Sequence, residues 1–295
     1  MKILLAFVIA VIIPSISSLL QCGEKNSGVF DNSNFYPWYK VCVDITKSET
    51  YFTYHTLKPN TGGLSTYKRP NWKTKLYENV GTSYNMKLQF ENYEKLGLPY
   101  INGTDSIYFV HFHLVPAGDF DTKADRDSTF YVENCVPGFQ KINNGNWLYI
   151  EDKVKSSAVH KTEVITGQFG QLVLMSTSGQ NVSLTLESDR VIQKKVRYDH
   201  IKVPEFFYKI VRDTVTKEGY VIITSNNPFM TEFSGPKMCK EDNCAVPEKL
   251  KDFSKGYTYC CNFSEFAKNM KKNFKLDFTG IIDVNNTIDA KIVPV

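Results

Sequence analysis

Residues 108–155 constrain the fold more than any other part of the chain. They begin as an apolar, strand-like run, Tyr108-Phe109-Val110-His111-Phe112-His113-Leu114-Val115-Pro116. A polar loop follows, and from Asn143 the pattern turns helical, with Trp147, Ile150 and Val154 on one side. A histidine on a strand, then a loop, then an Asn and a Glu on a helix make a compact place for a base and a cation. A secondary structure that serves this stretch must deliver a strand end and a helix start to the same spot.

The flanks read as strands with few helices. Residues 39–45 and 50–57 alternate as two strands joined by the polar turn Lys47-Ser48-Glu49, a hairpin. A Gly/Pro/Asn/Thr loop over 58–67 then delivers Lys68-Arg69-Pro70-Asn71-Trp72-Lys73. The apolar run predicts a strand over 106–114, the residues over 119–128 a polar connection, and 129–134 a short extended segment. Further strand-like runs lie at 164–165, 171–175, 182–186, 206–211 and 220–224. A short helix is expected over 264–273, with Ser264 as its N-cap. Internal repeats, low-complexity blocks and linkers are not evident, so one domain is the simplest organisation.

The N-terminus predicts export. Met1-Lys2 is followed by an apolar run over 3–13, Pro14 breaks it, and Ser15-Ile16-Ser17 supplies small residues at a cleavage site. This is the pattern of a secretory signal peptide over 1–17. The run falls short of the roughly 20 apolar residues of a membrane span, so no membrane association is expected. Four Asn-x-Ser/Thr sequons at Asn102, Asn181, Asn262 and Asn285 suit a secreted glycoprotein. All seven cysteines, Cys22, Cys42, Cys135, Cys239, Cys244, Cys260 and Cys261, lie beyond residue 17. An oxidising compartment favours disulfides among them, and the odd count leaves one thiol free or bridged to another chain. The adjacent Cys260 and Cys261 are expected to reach different partners, because neighbours rarely meet disulfide geometry. The formal charge of +4 permits a local basic groove for a polyanion without predicting one.

The candidate chemistry centres on His113. An imidazole with an ordinary pKa near 6.5 suits a general base. Phosphodiester hydrolysis needs such a base to activate water, and a cation to neutralise charge at phosphorus and on the leaving oxygen. Asn143 can offer a neutral amide oxygen to Mg²⁺, and Glu151, about two helical turns on, can hold the cation's waters. Lys155 lies four residues after Glu151 and shares its face. Arg69, in its cluster of cations around Trp72, can grip a phosphate in two places.

The order and spacing of these residues resemble a known family. Asn134-x-x-Pro137, Asn143-x-Gly145-x-Trp147 and Glu151 are similar to the fingerprint of the DNA/RNA non-specific endonucleases. Arg69-Pro70-Asn71-Trp72-Lys73 resembles that family's upstream Arg-Asn-Trp-Lys segment. Val164-Ile165-Thr166-Gly167 and Val203-Pro204-x-Phe206-Phe207-Tyr208-Lys209 resemble two further segments. The likeness spans roughly residues 36–230, and the secreted arthropod branch looks nearest. It implies an α+β fold, a central antiparallel β-sheet flanked by helices with a strand–loop–helix (ββα-metal) finger. With the signal peptide over 1–17, the polar residues 18–35 read as an N-terminal arm and the polar, mixed residues 275–295 as a C-terminal tail, which leaves 36–274 for the endonuclease domain.

By the same resemblance His113 is the general base, Asn143 the direct Mg²⁺ ligand (with Mn²⁺ as an alternative ion) and Glu151 the holder of its waters. Arg69 and Lys155 contact phosphate, and Asn134 shapes the site. The expected partners are DNA and RNA, single- or double-stranded, gripped through their phosphates, which carry no sequence information. The expected products carry 5′-phosphates. Monomer and homodimer both stay open.

Two positions depart from the pattern. The family has Arg-Gly before its histidine, where this chain has His111-Phe112, and its Pro-Gln is Pro137-Gly138 here. Side chains alternate along a strand, so His111 shares a face with His113, and Phe112 points the other way. His111 would assist phosphate binding only when protonated, whereas His113 must be unprotonated to act. Reduced turnover and a shifted pH profile are the expectation, and nucleic-acid binding with weak or lost cleavage is the alternative.

Overall fold

The computed structural model describes residues 38–44, 47–59, 66–74, 84–187, 200–233, 237–241, 246–278 and 281–282. The segments 1–17 and 18–35, Asn285, Cys22 and Cys244 lie outside the described residues. The expected hairpin is present as β1 (Tyr39–Asp44) and β2 (Glu49–Leu57). After it come α1 (Met86–Lys95), β3 (Phe109–His113), α2 (Lys123–Asp127), β4 (Cys135–Phe139), α3 (Gln140–Ile142) and α4 (Leu148–Ser157). The second half holds β5 (Thr162–Phe169), β6 (Val173–Met175), β7 (Asn181–Ser183), β8 (Thr185–Glu187) and β9 (His200–Lys202). It closes with β10 (Phe206–Asp213), β11 (Gly219–Ser225), β12 (Thr258–Cys261) and α5 (Phe263–Phe274).

Six strands form one antiparallel sheet in the order β1-β2-β5-β10-β11-β12. Its central strands are apolar at successive positions because both faces are covered. Val164, Phe207, Val211 and Ile222 belong to a core shared with β3, β4 and α4. Ile165, Tyr208, Ile210 and Val221 belong to a second core, closed by Phe266 and Met270 of α5. The fold class is therefore the expected α+β arrangement around a large antiparallel sheet.

A separate two-stranded sheet, β3–β4, stands over the first face. Its outer backbone groups would be unsatisfied without help. Two side-chain amides supply it. Gln89 of α1 pairs with the Phe109 backbone through both its amide atoms, at 2.9 Å each. Asn226 accepts from the Phe139 N–H at 3.1 Å and donates to the carbonyls of Pro137 and Pro204 at 3.2 and 2.9 Å. The hairpin that ends in His113 is thus pinned to a helix on one edge and to the main sheet on the other.

Several expectations are corrected. The 119–128 connection contains α2, and both Asp119 and Arg126 within it are buried. The segment 129–134 ends in a 3₁₀ turn, Val132–Asn134. The run over 182–186 is two strands, β7 and β8, broken at the buried Leu184. The N-cap of α5 is Asn262, whose side chain accepts from the Ser264 N–H at 2.9 Å. The stretch assigned to a C-terminal tail is partly core, since Leu276, Phe278 and Ile282 are buried in the second cluster. Cys239 and Cys261 form a disulfide, Cys42 and Cys260 are disulfide-bonded as well, and Cys135 is a free, buried thiol.

Candidate nuclease-type site

His113 is the last residue of β3 and lies opposite Cys135 of β4. Its neighbour on the same face, His111, lies opposite Pro137. A loop is laid over this pair by two backbone hydrogen bonds, Lys73 N–H to Phe130 O at 3.0 Å and Val132 N–H to Lys73 O at 2.8 Å. The loop delivers Trp72, which stacks on His111 at 4.3 Å between ring centroids and tilts onto His113 at 4.6 Å. Tyr84 covers the His111 ring at 3.7 Å, and Phe130 meets His113 edge-on at 4.9 Å. Both histidines are half-buried, yet the Nε2 atoms of both are closed off and without a hydrogen-bond partner.

This packing fixes their charge. Burial among rings lowers His111 from 6.5 to about 3. Burial also lowers His113 to about 3, helped by the charge of Arg69 and by His111. Desolvation always disfavours the charged form, so both imidazoles are neutral at physiological pH. Arg69 itself is exposed, near enough for its field to act on His113.

Asn134 is fully buried and spent on backbone. Its Oδ1 accepts from the Val115 N–H at 3.0 Å, and its Nδ2 donates to the carbonyls of Val115 and Thr129 at 2.9 Å each. It thereby shapes the chain just beyond His113.

The opposite wall is helical. Asn143 does not open α4, as the sequence suggested. It follows α3 and begins a widened π-type turn, Asn143–Trp147, before α4 starts. Such turns recur at functional sites. Gly145 permits this one, having non-helical φ −95° and ψ −121°. A Cβ there would also meet the Lys255 carbonyl oxygen at 3.1 Å. Asn146 braces the turn from outside by donating to the carbonyls of Leu250 and Gly256 at 2.9 and 2.5 Å. Asn143 is left half-exposed, with no side-chain hydrogen bond among the described residues.

Trp147, Ile150 and Val154 are buried as expected, which turns Glu151 and Lys155 along one line of α4. Burial raises the Glu151 carboxyl above the usual carboxylate range, Lys209 opposes that rise, and Asp119 adds to it. The Trp147 indole N–H also favours the charged form, without completing a hydrogen bond. Lys155 donates to the Gly118 carbonyl at 2.5 Å, tying α4 to the loop that follows His113. The two walls also meet in the core, where Phe112 lies 5.1 Å from Trp147 and 3.9 Å from Phe207. No ion pair joins His113 to Glu151 among the described residues.

Asn143 and Glu151 offer one amide and one carboxylate, all oxygen donors. No group of three His, Cys, Asp or Glu able to hold a metal comes together among the described residues. Such a donor set fits a hard, well-hydrated cation of the Mg²⁺ type, which keeps several waters, better than Zn²⁺.

Sequence reasoning gave no role to Lys209, His55, Asp119 or Tyr84. Lys209 is 1% exposed on β10, donates to Thr166 Oγ1 at 2.8 Å and lies 5.0 Å over the Trp147 ring. His55 Nε2 and Asp119 Oδ2 pair at 2.9 Å in the same region. A lysine in the middle of an apolar strand run was the available signal.

The sequence matches the DNA/RNA non-specific endonuclease family over residues 23–266. A "Salivary endonuclease" of Lutzomyia longipalpis is 30% identical, over 81% of this chain and 59% of the relative. "Salivary protein Tsal1" of Glossina morsitans morsitans is 24% identical, over 85% of this chain and 63% of the relative. This chain thus spans about three-fifths of the length of the curated relatives it matches. Among solved structures, a chain of the EndoG/EndoGI complex aligns with 74% of this chain and 84% of its own, with 16% identity and a TM-score of 0.43. With a family match that covers most of its length, the chain belongs to the DNA/RNA non-specific endonuclease family.

Proposed function

We propose that this protein is a secreted, Mg²⁺-dependent endonuclease that hydrolyses phosphodiester bonds of DNA and RNA and leaves 5′-phosphates. The observation that carries the reading is His113 at the end of β3, within the field of Arg69, together with Asn143 and Glu151 on the helical stretch that follows β4. His113 is neutral and its closed-off Nε2 has no hydrogen-bond partner, so it is in the state to take a proton from an attacking water once the covering rings admit one. A base lowered to about 3 is weak, and an anionic phosphate drawn alongside raises it. Arg69 grips that phosphate and spreads its charge. Asn143 and Glu151 would hold Mg²⁺, which when bound supplies charge neutralisation at the leaving 3′-oxygen. Export is supported by the apolar N-terminal run and by the salivary names of the relatives. No helix among the described residues is long and apolar enough to cross a membrane.

A second reading, nucleic-acid binding with weak cleavage, is favoured by one observation. His111, where the family carries arginine, is a neutral ring held between Trp72 and Tyr84. It gives the phosphate no charge, and the grip falls to Arg69.

Cleavage of plasmid DNA and long double-stranded RNA, with Mg²⁺ or EDTA from pH 5 to 9, separates the two. The nuclease reading expects Mg²⁺-dependent cleavage that His113→Ala lowers by about 10²–10⁴-fold. Cleavage that survives this substitution or EDTA overturns it. No cleavage with retained salt-sensitive binding selects the second reading.

A further inference from the structure

On the sheet face beneath α4 a buried polar row crosses three strands. Thr53 of β2 registers with Thr166 of β5, and Thr166 registers with Lys209 of β10. All three are buried, and Thr53 donates to the Thr166 carbonyl at 3.3 Å. Of its neighbours on the same face, Val164, Phe207 and Val211 belong to the core, and His55 and Gln168 are buried polar groups. A lysine at such a place is costly unless something answers its charge. Its ammonium is aimed by Thr166 Oγ1 at 2.8 Å and rests 5.0 Å from the centre of the Trp147 ring. Trp147 precedes Glu151 by one helical turn. Burial works against the Lys209 charge, and the carboxylates whose fields support it are Glu151 first and Asp119 second. No ion pair joins Lys209 to either among the described residues, so the support acts through space, with Glu151 as its larger source.

We propose that Lys209 is a positioning residue: its buried ammonium, aimed by Thr166 and seated on Trp147, holds the Glu151 carboxylate in its working place from inside the sheet. This rests on the reading of Glu151 as the holder of a cation's waters. Lys209 touches neither substrate nor cation. It acts as groups behind a ligand do, by fixing the ligand's orientation.

The test uses the full chain and Mn²⁺ binding followed by electron paramagnetic resonance at one fixed pH. Cleavage kinetics and a melting temperature accompany each variant. Lys209→Met, which keeps length and burial, should weaken Mn²⁺ binding and lower kcat by about 10- to 100-fold, with the KM for DNA unchanged. Thr166→Val, which removes only the hydrogen bond that aims the ammonium, should lose less in the same direction. In a Glu151→Gln background, Lys209→Met should add nothing. Unchanged Mn²⁺ affinity in a folded Lys209→Met overturns the proposal, as does an equal loss with and without Glu151. If Lys209→Met does not fold, wild-type Mn²⁺ affinity in Thr166→Val overturns it. A wild-type chain that binds Mn²⁺ without cutting overturns the nuclease reading alone, and the binding arm still decides the role of Lys209. A wild-type chain that binds no Mn²⁺ overturns both.

Discussion

The β3 wall of the site meets its surroundings with rings, and the α4 wall meets them with charge. On the β3 side Trp72, His111 and Tyr84 form a stack, Phe130 closes on His113, and both imidazoles are neutral. On the α4 side Glu151, Asp119 and Lys209 act on one another through their fields, and Lys155 reaches across to a loop carbonyl. Both departures from the family pattern fall on the β3–β4 wall, and they belong together. A Cβ on Gly138 would come within 2.3 Å of the Phe112 ring. A large residue at 112 thus requires a bare backbone at 138 on the neighbouring strand. Packing on this wall has absorbed the change in pairs, whereas the helical wall keeps every polar residue that the resemblance called for.

The largest expected effect tests that pairing. Phe112→Ala should cost about 3–5 kcal/mol in urea unfolding, from lost burial and a residual cavity. Gly138→Ala should cost about 1–3 kcal/mol, from overpacking. Together they should cost clearly less than their sum, because the shortened side chain makes room for the new methyl. Additive losses would mean that the two positions changed independently.

Next in size is acid sensitivity. Burial lowers His111 and His113 to about 3, and it lowers His55 as well. Between pH 6.5 and about 3 the unfolded chain takes up protons that the folded chain refuses. Stability should therefore fall as pH drops through this window, by up to about 1.4 kcal/mol per pH unit for each histidine. His111→Phe keeps the stack and removes one of these groups. Its melting temperature between pH 7 and 4 should decline less steeply than that of the wild type. Equal slopes would show that the β3 wall already admits protons.

Least in size, and aimed at function, is His111→Arg. A planar guanidinium stacks well on aromatic faces, so the Trp72–Tyr84 slot should accept it. The slope of log binding constant against log salt for duplex DNA should then steepen by about 0.9, the worth of one added phosphate contact. An unchanged slope would mean that the rings keep position 111 away from the backbone of the nucleic acid.

The sequence made the architecture legible wherever burial followed a period. The hairpin, β5, β10, β11 and the Trp147–Ile150–Val154 stripe are all runs of that kind. Helix α1 escaped because the residues it buries, Gln89 and Tyr93, include an amide chosen for the edge of β3. The candidate site residues could be named as a series, through their order and spacing and the resemblance these carry. Their environment was not, since the stack on His111 draws on Trp72 and Tyr84 from other segments, and Lys209 arrives from a strand more than fifty residues after Glu151. The widened turn at Asn143 was hidden for the same reason. Its brace is the pair of carbonyls at Leu250 and Gly256, about a hundred residues downstream.

The aromatic plug at the far end has a consequence of another kind. The family match stops at residue 266, inside α5, yet the Phe278 ring lies 5.6 Å from Phe52 and 6.0 Å from Tyr208, on the face of the sheet turned away from the site. What the chain inherited recognisably and what must fold cooperatively therefore have different ends. A shortened protein cut where the ancestry fades would keep all the candidate chemistry and bare the underside of its own sheet to self-association.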